Sequence, residues 1–508
     1  MSKFKDRLKG LVAKDKPAAL LSTCILIAAV VFLNIIVFTV TGAYGLYIYS
    51  PDITDLTISG KTDALFSSVP AGREVTVTFC MDKDDLQAHA TGSYVFKTVS
   101  QFEERYSFIK VKYVNMLTKR DEHGELFPFD NYTTDMRGNE TPIRKNTVIF
   151  SSGANYRVIT DTYTSAGFAD FFSLDADKNA YAYNGEEVVA SMISWVLTDE
   201  HGTAYLTEKH GETSDLAFVN MLSCAGYYVD TINLRDNEVP SDADMVVISN
   251  PTSDFYRLTG EATGRSEIER LEDYLSRGGN LYVTIDPLVK KLPVLEGFLS
   301  EWGITMASVT DDNGVFARAL VRENSMGVSL DGHAFTAGLA DNNVGGSINA
   351  SLKLSSSGRV LVGSSAGLLL DESLGARPLL LTSDTAELVA AGRKLENSEG
   401  VKTVAAWSER KNDDDTYGKI VVIPNIYLTA SDALTSDVYS NGDFIYLTWN
   451  YLFGSKCAPV GCATVTYNHT ALENFTAKTA NIMTAAVLAV PVILAILGTA
   501  IIIRRKNR

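Results

Sequence analysis

Positive charge is scarce in the bulk of this chain. Its 508 residues carry 45 Lys and Arg against 61 Asp and Glu, a formal charge of −16. The first 17 residues and the last five hold +4 each, which leaves −24 for everything between them. A duplex-binding surface needs clustered cations to displace counterions from phosphates, so this distribution argues against nucleic acid as a partner. Cysteine is scarce too, and five in a chain of this length make no disulfide framework. Cys24 lies in an apolar run, while Cys80 and Cys224 sit in strand-like and helix-like apolar contexts that suit small buried hydrophobes. Cys457 and Cys462, in CAPVGC, have the spacing to close a short loop in an oxidising compartment, and the sequence leaves that pairing open.

The six histidines show neither H-E-x-x-H nor a Cys/His zinc spacing, so no metal and no cofactor is expected. No G-x-x-x-x-G-K-[ST] occurs, and with it the backbone cradle and lysine of a P-loop are missing. The chain is therefore not expected to hydrolyse ATP. Leu275-Ser276-Arg277-Gly278-Gly279-Asn280 superficially matches the signature motif of ABC ATPases, but glycines between a helical and a strand pattern fit a helix C-cap better. No Pro/Gly-rich bias or internal repeat appears, and 46% hydrophobic with 21% charged residues is an ordinary globular composition.

Long apolar runs, by contrast, are present at both ends. Residues 18–40 and 480–503 carry no charge, and at ~1.5 Å per residue each makes a helix long enough for a hydrocarbon core of about 30 Å. A cleavable signal is the alternative for the first run, but such h-regions hold about 7 to 15 residues, and an uncleaved anchor fits better. Lys3, Lys5, Arg7, Lys9, Lys14 and Lys16 precede the first run, and Arg504, Arg505, Lys506 and Arg508 follow the second. The positive-inside bias then predicts a two-pass protein of the cell membrane with both termini cytoplasmic and residues 45–478 extracytoplasmic.

Between the runs, patterning predicts two lobes. In the first, over 45–180, Val75, Val77 and Phe79 alternate as a strand, Val95, Val99 and Phe102 recur at helical spacing, and Ile109, Val111 and Tyr113 return to period two. Leu56 to Ser59 alternates like a short strand. The second lobe, over 186–455, opens with a helix over 186–197. Strand patterns at 203–207, 227–232, 245–248 and 281–285 then alternate with helices over 214–225 and after the capping-box pair Ser266 and Glu269. Alternating strands and helices with short connections predict an α/β fold with a doubly wound parallel sheet. A β-rich insertion is expected over 305–420, a buried strand over 419–423, and a closing helix over 444–452 with Asp443 near its N-cap. A stalk over 456–479 leads to the second span.

Ligands in such sheets sit beyond the carboxyl ends of the strands. The candidates there are His210 and Glu212 in Lys209-His210-Gly211-Glu212, Asn250 in Ser249-Asn250-Pro251, and Asp286 in Asp286-Pro287. His210 and Glu212 are able in principle to bind a metal or polarise a carbonyl. The plainer reading is a helix-entry turn, with Gly211 in the tight bend and Glu212 complementing the helix N-terminus. Asp286 either faces a ligand or caps the next helix. No G-x-S-x-G elbow is present.

The ordered set of local sequences resembles the gliding-motility-associated auxiliary proteins of ABC transporters, the GldG-like family. The matching pieces are Tyr205 to Glu212, Val239 to Pro251, Tyr274 to Leu281, Asp286-Pro287, Arg377 to Ser383, Lys419 to Asn425, Asn441 to Asp443 and Trp449 to Leu452. Two positions depart from the family pattern: Lys209 stands where a Gly precedes the His, and Pro424-Asn425 replaces a Gly-Asp pair. The resemblance implies a second lobe similar to amidotransferase-like or flavodoxin-like folds, without a catalytic cysteine. It also implies a non-enzymatic accessory subunit working with a separate ABC permease and ABC ATPase, its spans in lipid and its outer lobes binding an envelope component or a small ligand. The alternatives are a membrane-anchored hydrolase using His210, Glu212 and Asp286, and an envelope sensor.

Overall fold

The computed structural model describes residues 56–455, apart from 68, 71, 136, 161–167, 175–179, 258–263, 311–313, 330, 356–357, 435 and 437, together with 465–466. Both apolar runs, Cys457 and Cys462 lie outside the described residues. No helix among the described residues is long and apolar enough to cross a membrane.

The chain enters through helix α1 (Gly60–Phe66). The sequence pattern suggested a strand over 56–59, but those residues form no ladder. Instead the Ser59 N–H and the Thr62 hydroxyl both donate to Glu186 Oε1, at 2.6 and 2.7 Å, so side-chain anchoring fixes this segment. Strand β1 (Val75–Phe79), helix α2 (Gly92–Arg105) and strand β2 (Ile109–Asn115) form the expected β-α-β unit, with β1 and β2 parallel. Val95, Val99 and Phe102, one face of α2, are buried with Val75, Val77 and Phe79. Strands β3 (Val148–Ser152) and β4 (Asn155–Ile159) add antiparallel, and Arg120–Asp121 completes five strands, with β4 last on its side. Helix α3 (Gly185–Leu197) packs on this sheet, touching β1, β3 and β4.

Five parallel strands follow: β5 (Gly202–Thr207), β6 (Tyr227–Ile232), β7 (Met245–Ser249), β8 (Asn280–Thr284) and β13 (Tyr417–Ile423). Their spatial order is β6-β5-β7-β8-β13. The chain thus starts in β5, moves outward to β6, then crosses back to β7. Helices α4 (Leu216–Cys224), α5 (Glu267–Ser276) and α6 (Pro293–Glu301) make the crossovers. Alternation along the strands sorts the two faces. Val246, Ile248, Leu281, Val283, Ile420 and Val422 join Ile268 and Leu271 of α5 and Leu295 and Phe298 of α6 in one core. On the other face the Tyr282 ring meets Phe218 of α4 at 5.9 Å and Trp449 at 5.7 Å. The result is a mixed α/β architecture whose central strands are covered on both sides, which is why they read as continuous apolar runs.

The insertion continues this sheet past β13. Strands β9 (Ala334–Leu339), β10 (Val360–Gly363), β11 (Ala376–Leu381) and β12 (Thr403–Lys411) extend it antiparallel in the order β13-β12-β11-β9-β10. A helix absent from the sequence reading, α7 (Asn343–Ser355), lies within it. The closing helix α8 (Asn441–Thr448) begins before the expected position and runs into a π-helical turn over Trp449–Phe453. Asp443 does not cap it; its Oδ2 pairs with Lys61 Nζ at 2.9 Å. Within the expected stalk, Val465 and Thr466 pair antiparallel with Tyr183 and Ala182.

Candidate functional site at the carboxyl edge of the parallel sheet

Because β6 lies on one side of β5 and β7 on the other, the loops leaving β5 and β7 diverge at a topological switch point, where open α/β sheets place ligands. The loop after β5 holds Lys209 at φ 84° and Gly211 at φ 69°. Gly211 is required by space as well as by φ, since a Cβ there would stand 2.2 Å from Thr252 Oγ1. This tight bend lets the His210 carbonyl accept from the Thr252 and Ser253 N–H groups, both at 2.9 Å, and so ties the two loops together.

The His210 ring is wholly buried, bracketed by two carboxylates and stacked on Phe255 with centroids 4.0 Å apart and planes at 6°. Its Nδ1 is 3.0 Å from Glu212 Oε1, and its Nε2 is 3.0 and 3.1 Å from the two oxygens of Glu267. Glu212 Oε2 also accepts the His210 N–H at 2.7 Å, and Glu267 Oε2 accepts the Tyr256 N–H at 2.6 Å. Arg235 Nε approaches Glu267 Oε1 to 3.5 Å. Burial disfavours the imidazolium, but the hydrogen bonds and charges of Glu212 and Glu267 outweigh it and raise the His210 pKa to about 9. The same His210 contacts hold both carboxyls below their ordinary value against the opposing effect of burial. At neutral pH the group is thus an imidazolium donating from both nitrogens, with two carboxylates and a guanidinium closing the charge balance. A ring in this state has no lone pair with which to accept a substrate's proton.

Glu267 is the partner that sequence reasoning missed. It is the first residue of α5, following the N-cap Ser266, whose two expected capping-box bonds with Glu269 both form. Glu267 looks like one more acidic residue favouring a helix N-terminus; nothing local marks it as a partner for a histidine 57 positions earlier. Glu212 does not complement the next helix. Asp215 caps α4, accepting the Ala217 N–H at 3.0 Å.

Asn250 lies beside this latch in a left-handed conformation, φ 48°. Its N–H continues the ladder to Thr284 O at 2.9 Å and its Nδ2 reaches Thr213 O at 3.4 Å. Its buried Oδ1 has no partner among the described residues. Ser249 donates its hydroxyl to Thr213 O at 2.8 Å. Asp286 stands apart: its side chain accepts the Leu288 N–H at 2.8 Å in a local turn, and no hydrogen bond or ion pair joins it to His210, Glu212 or Asn250. Nor does it cap α6, which Asp254 caps by accepting from Val294 and Leu295 at 2.8 and 3.1 Å. Asn425 is buried, holding Gly363 O at 2.7 Å and the Leu428 N–H at 2.8 Å. No group of three or more His, Cys, Asp or Glu suited to a metal occurs among the described residues. Cys80 and Cys224 are free and buried, and burial pushes both thiols up to about 12.

No family model matches the sequence, and no curated protein matches it. Among solved structures the chain is similar to the N-terminal domain of mmIFT52, with 14% identity and a TM-score of 0.35 over 49% of this chain and 97% of that one. It is also similar to a ThuA-like protein from Bacteroides uniformis, with 9% identity and a TM-score of 0.30 over 50% and 94%. PurLQS from Thermotoga maritima gives 12% identity and a TM-score of 0.26 over 50% and 100%. Similarity at these scores carries no argument about what the chain does.

Proposed function

We propose that this chain is a non-catalytic accessory subunit of an ABC-type transport system, anchored by the spans at 18–40 and 480–503, with its α/β lobes outside the membrane. In this reading the parallel region is a flavodoxin-like or amidotransferase-like sheet whose ligand edge has been given over to structure. The observation that carries the proposal is the His210 latch. A hydrolase at this edge needs a base free to take a proton and a nucleophile within its reach. Here both ring nitrogens face carboxylates, the ring is buried, and the Ser249 hydroxyl is engaged with a backbone carbonyl. The absent P-loop and the basic flanks of the two apolar runs support the same reading, because they leave energy supply to a cytoplasmic partner.

Gentle detergent extraction followed by affinity capture tests it. A permease and an ATPase are expected to co-purify in fixed ratio, with ATP turnover residing in the ATPase. Recovery of the chain alone at native abundance, with transporter assembly and turnover unchanged by its deletion, refutes the proposal.

A further inference from the structure

A second feature, away from the latch, lies between the two sheets. Strand β4 is the last strand of the first sheet and β6 the last strand of the larger one. Between them opens a cavity of about 330 Å³ whose lining includes Asp135, Arg137, Tyr156, Arg157, Tyr228 and Asp230. Ligand cavities begin at about this size, so it suits a molecule of a few heavy atoms.

Its charges divide into those already engaged and those left over. Arg137 Nη2 is 3.2 Å from the Tyr205 hydroxyl and 3.3 Å from Asp242 Oδ2. Asp135 accepts the N–H groups of Arg137 and Asn139 and the Asn139 side-chain amide, at 2.8 to 2.9 Å. Arg157 is different. Its guanidinium lies 5.3 Å from the Trp195 ring centre and 5.6 Å from that of Tyr228, and it makes no hydrogen bond or ion pair with any described residue. The Trp195 ring is itself stacked on His201, with centroids 3.4 Å apart and planes at 2°, which holds that aromatic group in place. Arg157 is half-buried, and burial pushes its pKa down against the opposing charges of neighbouring groups, Asp135 among them. Asp230, also in the lining and half exposed, uses Oδ1 to accept the Thr231 N–H at 2.8 Å, while its Oδ2 has only a distant partner, Arg137 Nη1 at 3.9 Å.

We propose that this inter-sheet cavity binds a small zwitterion of the amino-acid type, its carboxylate on the Arg157 guanidinium and its ammonium on Asp230 Oδ2. A planar guanidinium held over aromatic rings presents paired N–H donors in the geometry a carboxylate accepts. A dianion such as phosphate suits the cavity less well, because Asp135 and Asp230 share its wall. The inference does not depend on the accessory-subunit reading, since it concerns a different surface of the chain.

Calorimetric titration of the full-length protein with each proteinogenic amino acid, alongside acetate, methylammonium and inorganic phosphate, tests the assignment. At least one amino acid is expected to bind while the three single-charge or phosphate probes at equal concentration do not. Arg157→Gln is expected to weaken that binding about tenfold or more, as loss of a charge-assisted bond implies. Asp230→Asn should narrow the gap between the amino acid and its deaminated analogue. Circular dichroism checks that both variants fold, and Arg157→Lys, which keeps the charge and loses the fork, should fall between. Absence of binding by every amino acid overturns the proposal. So does phosphate binding as tightly as the best amino acid, or an affinity unchanged in folded Arg157→Gln.

Discussion

The His210 latch makes a quantitative statement about stability and pH. The ring's pKa stands at about 9 in the folded chain against an ordinary 6.5. A group raised in this way contributes stability that is fully present below its unfolded pKa and is lost as pH rises through its folded one. The window is therefore about 6.5 to 9. At ~1.4 kcal/mol per pH unit, the contribution is on the order of 3 kcal/mol, and full burial of the ring means that solvent screening does not reduce it. The partners bound the window on the acid side: Glu212 and Glu267 are held below 4.5, so their contribution is present above that value and fades as pH falls.

Urea unfolding of the full-length chain at intervals from pH 6 to 9.5 should show the loss, and His210→Gln should remove it. At pH 6.5 the same substitution leaves two carboxylates facing a neutral amide in a buried site, with a cost of about 3 to 5 kcal/mol. Proton resonances of the His210 ring give its pKa directly. A value at or below 6.5, or a wild-type stability that is flat from pH 6.5 to 9, refutes the latch.

Other substitutions probe separate parts of the argument. Glu323, buried and accepting from the Ser325 and Ser383 N–H groups and the Ser383 and Thr385 hydroxyls, has its pKa lowered to about 2 because these bonds outweigh the opposing effect of burial. Its contribution is present above pH 4.5 and lost on acidification towards 2, so Glu323→Gln should flatten acid unfolding in that range. Gly211→Ala, which places a Cβ 2.2 Å from Thr252 Oγ1 at φ 69°, should lower the urea midpoint by the equivalent of about 1 to 3 kcal/mol, and an unchanged midpoint counts against the tight bend. Protease added to intact protoplasts should release a large soluble fragment, as expected if 45–478 is outside, whereas protection of that region refutes the topology.

What the sequence made legible is what short-range chemistry controls. The Ser266 and Glu269 capping box forms with both bonds, and Gly278 ends α5 at φ 86°, its N–H on Leu275 O and that of Gly279 on Tyr274 O. The apolar runs at 245–248 and 419–423 are central strands because each is covered on two faces. What escaped is decided by space and by distant partners. Helix α7 reads as a loop because Asn343-Val344-Gly345-Gly346 is a poor helix start by propensity. Yet Gly345 is demanded there, since a Cβ would lie 2.2 Å from Ala340 O, while Asn342 Oδ1 accepts the Gly345 N–H and Ile348 and Leu352 are fully buried. Likewise Asp443 stands at a helix start, the right place for a cap, and is drawn instead to a lysine 382 residues away.

The candidate site was legible in position and illegible in state. His210 and Glu212 meet in the loop after β5, and Asn250 at the end of β7 reaches Thr213 of that same loop, because strand order alone brings the ends of β5 and β7 together. Whether a histidine there acts on a substrate or holds a fold depends on how many of its nitrogens the protein already occupies. That number is set by Glu267, which reaches the ring only because α5 packs over β7 and β8 and directs its first residue back towards the loop after β5. A pair of carboxylates keeps the ring a cation at neutral pH; one carboxylate would leave the second nitrogen open, as in a hydrolytic triad. Glu267→Gln is therefore the informative change, since it removes one of the two negative charges that hold the ring protonated without emptying the space. In a dormant hydrolase it should create or raise activity towards ester probes, whereas in a structural latch it should only cost stability. Loss of stability with no turnover is the outcome expected here.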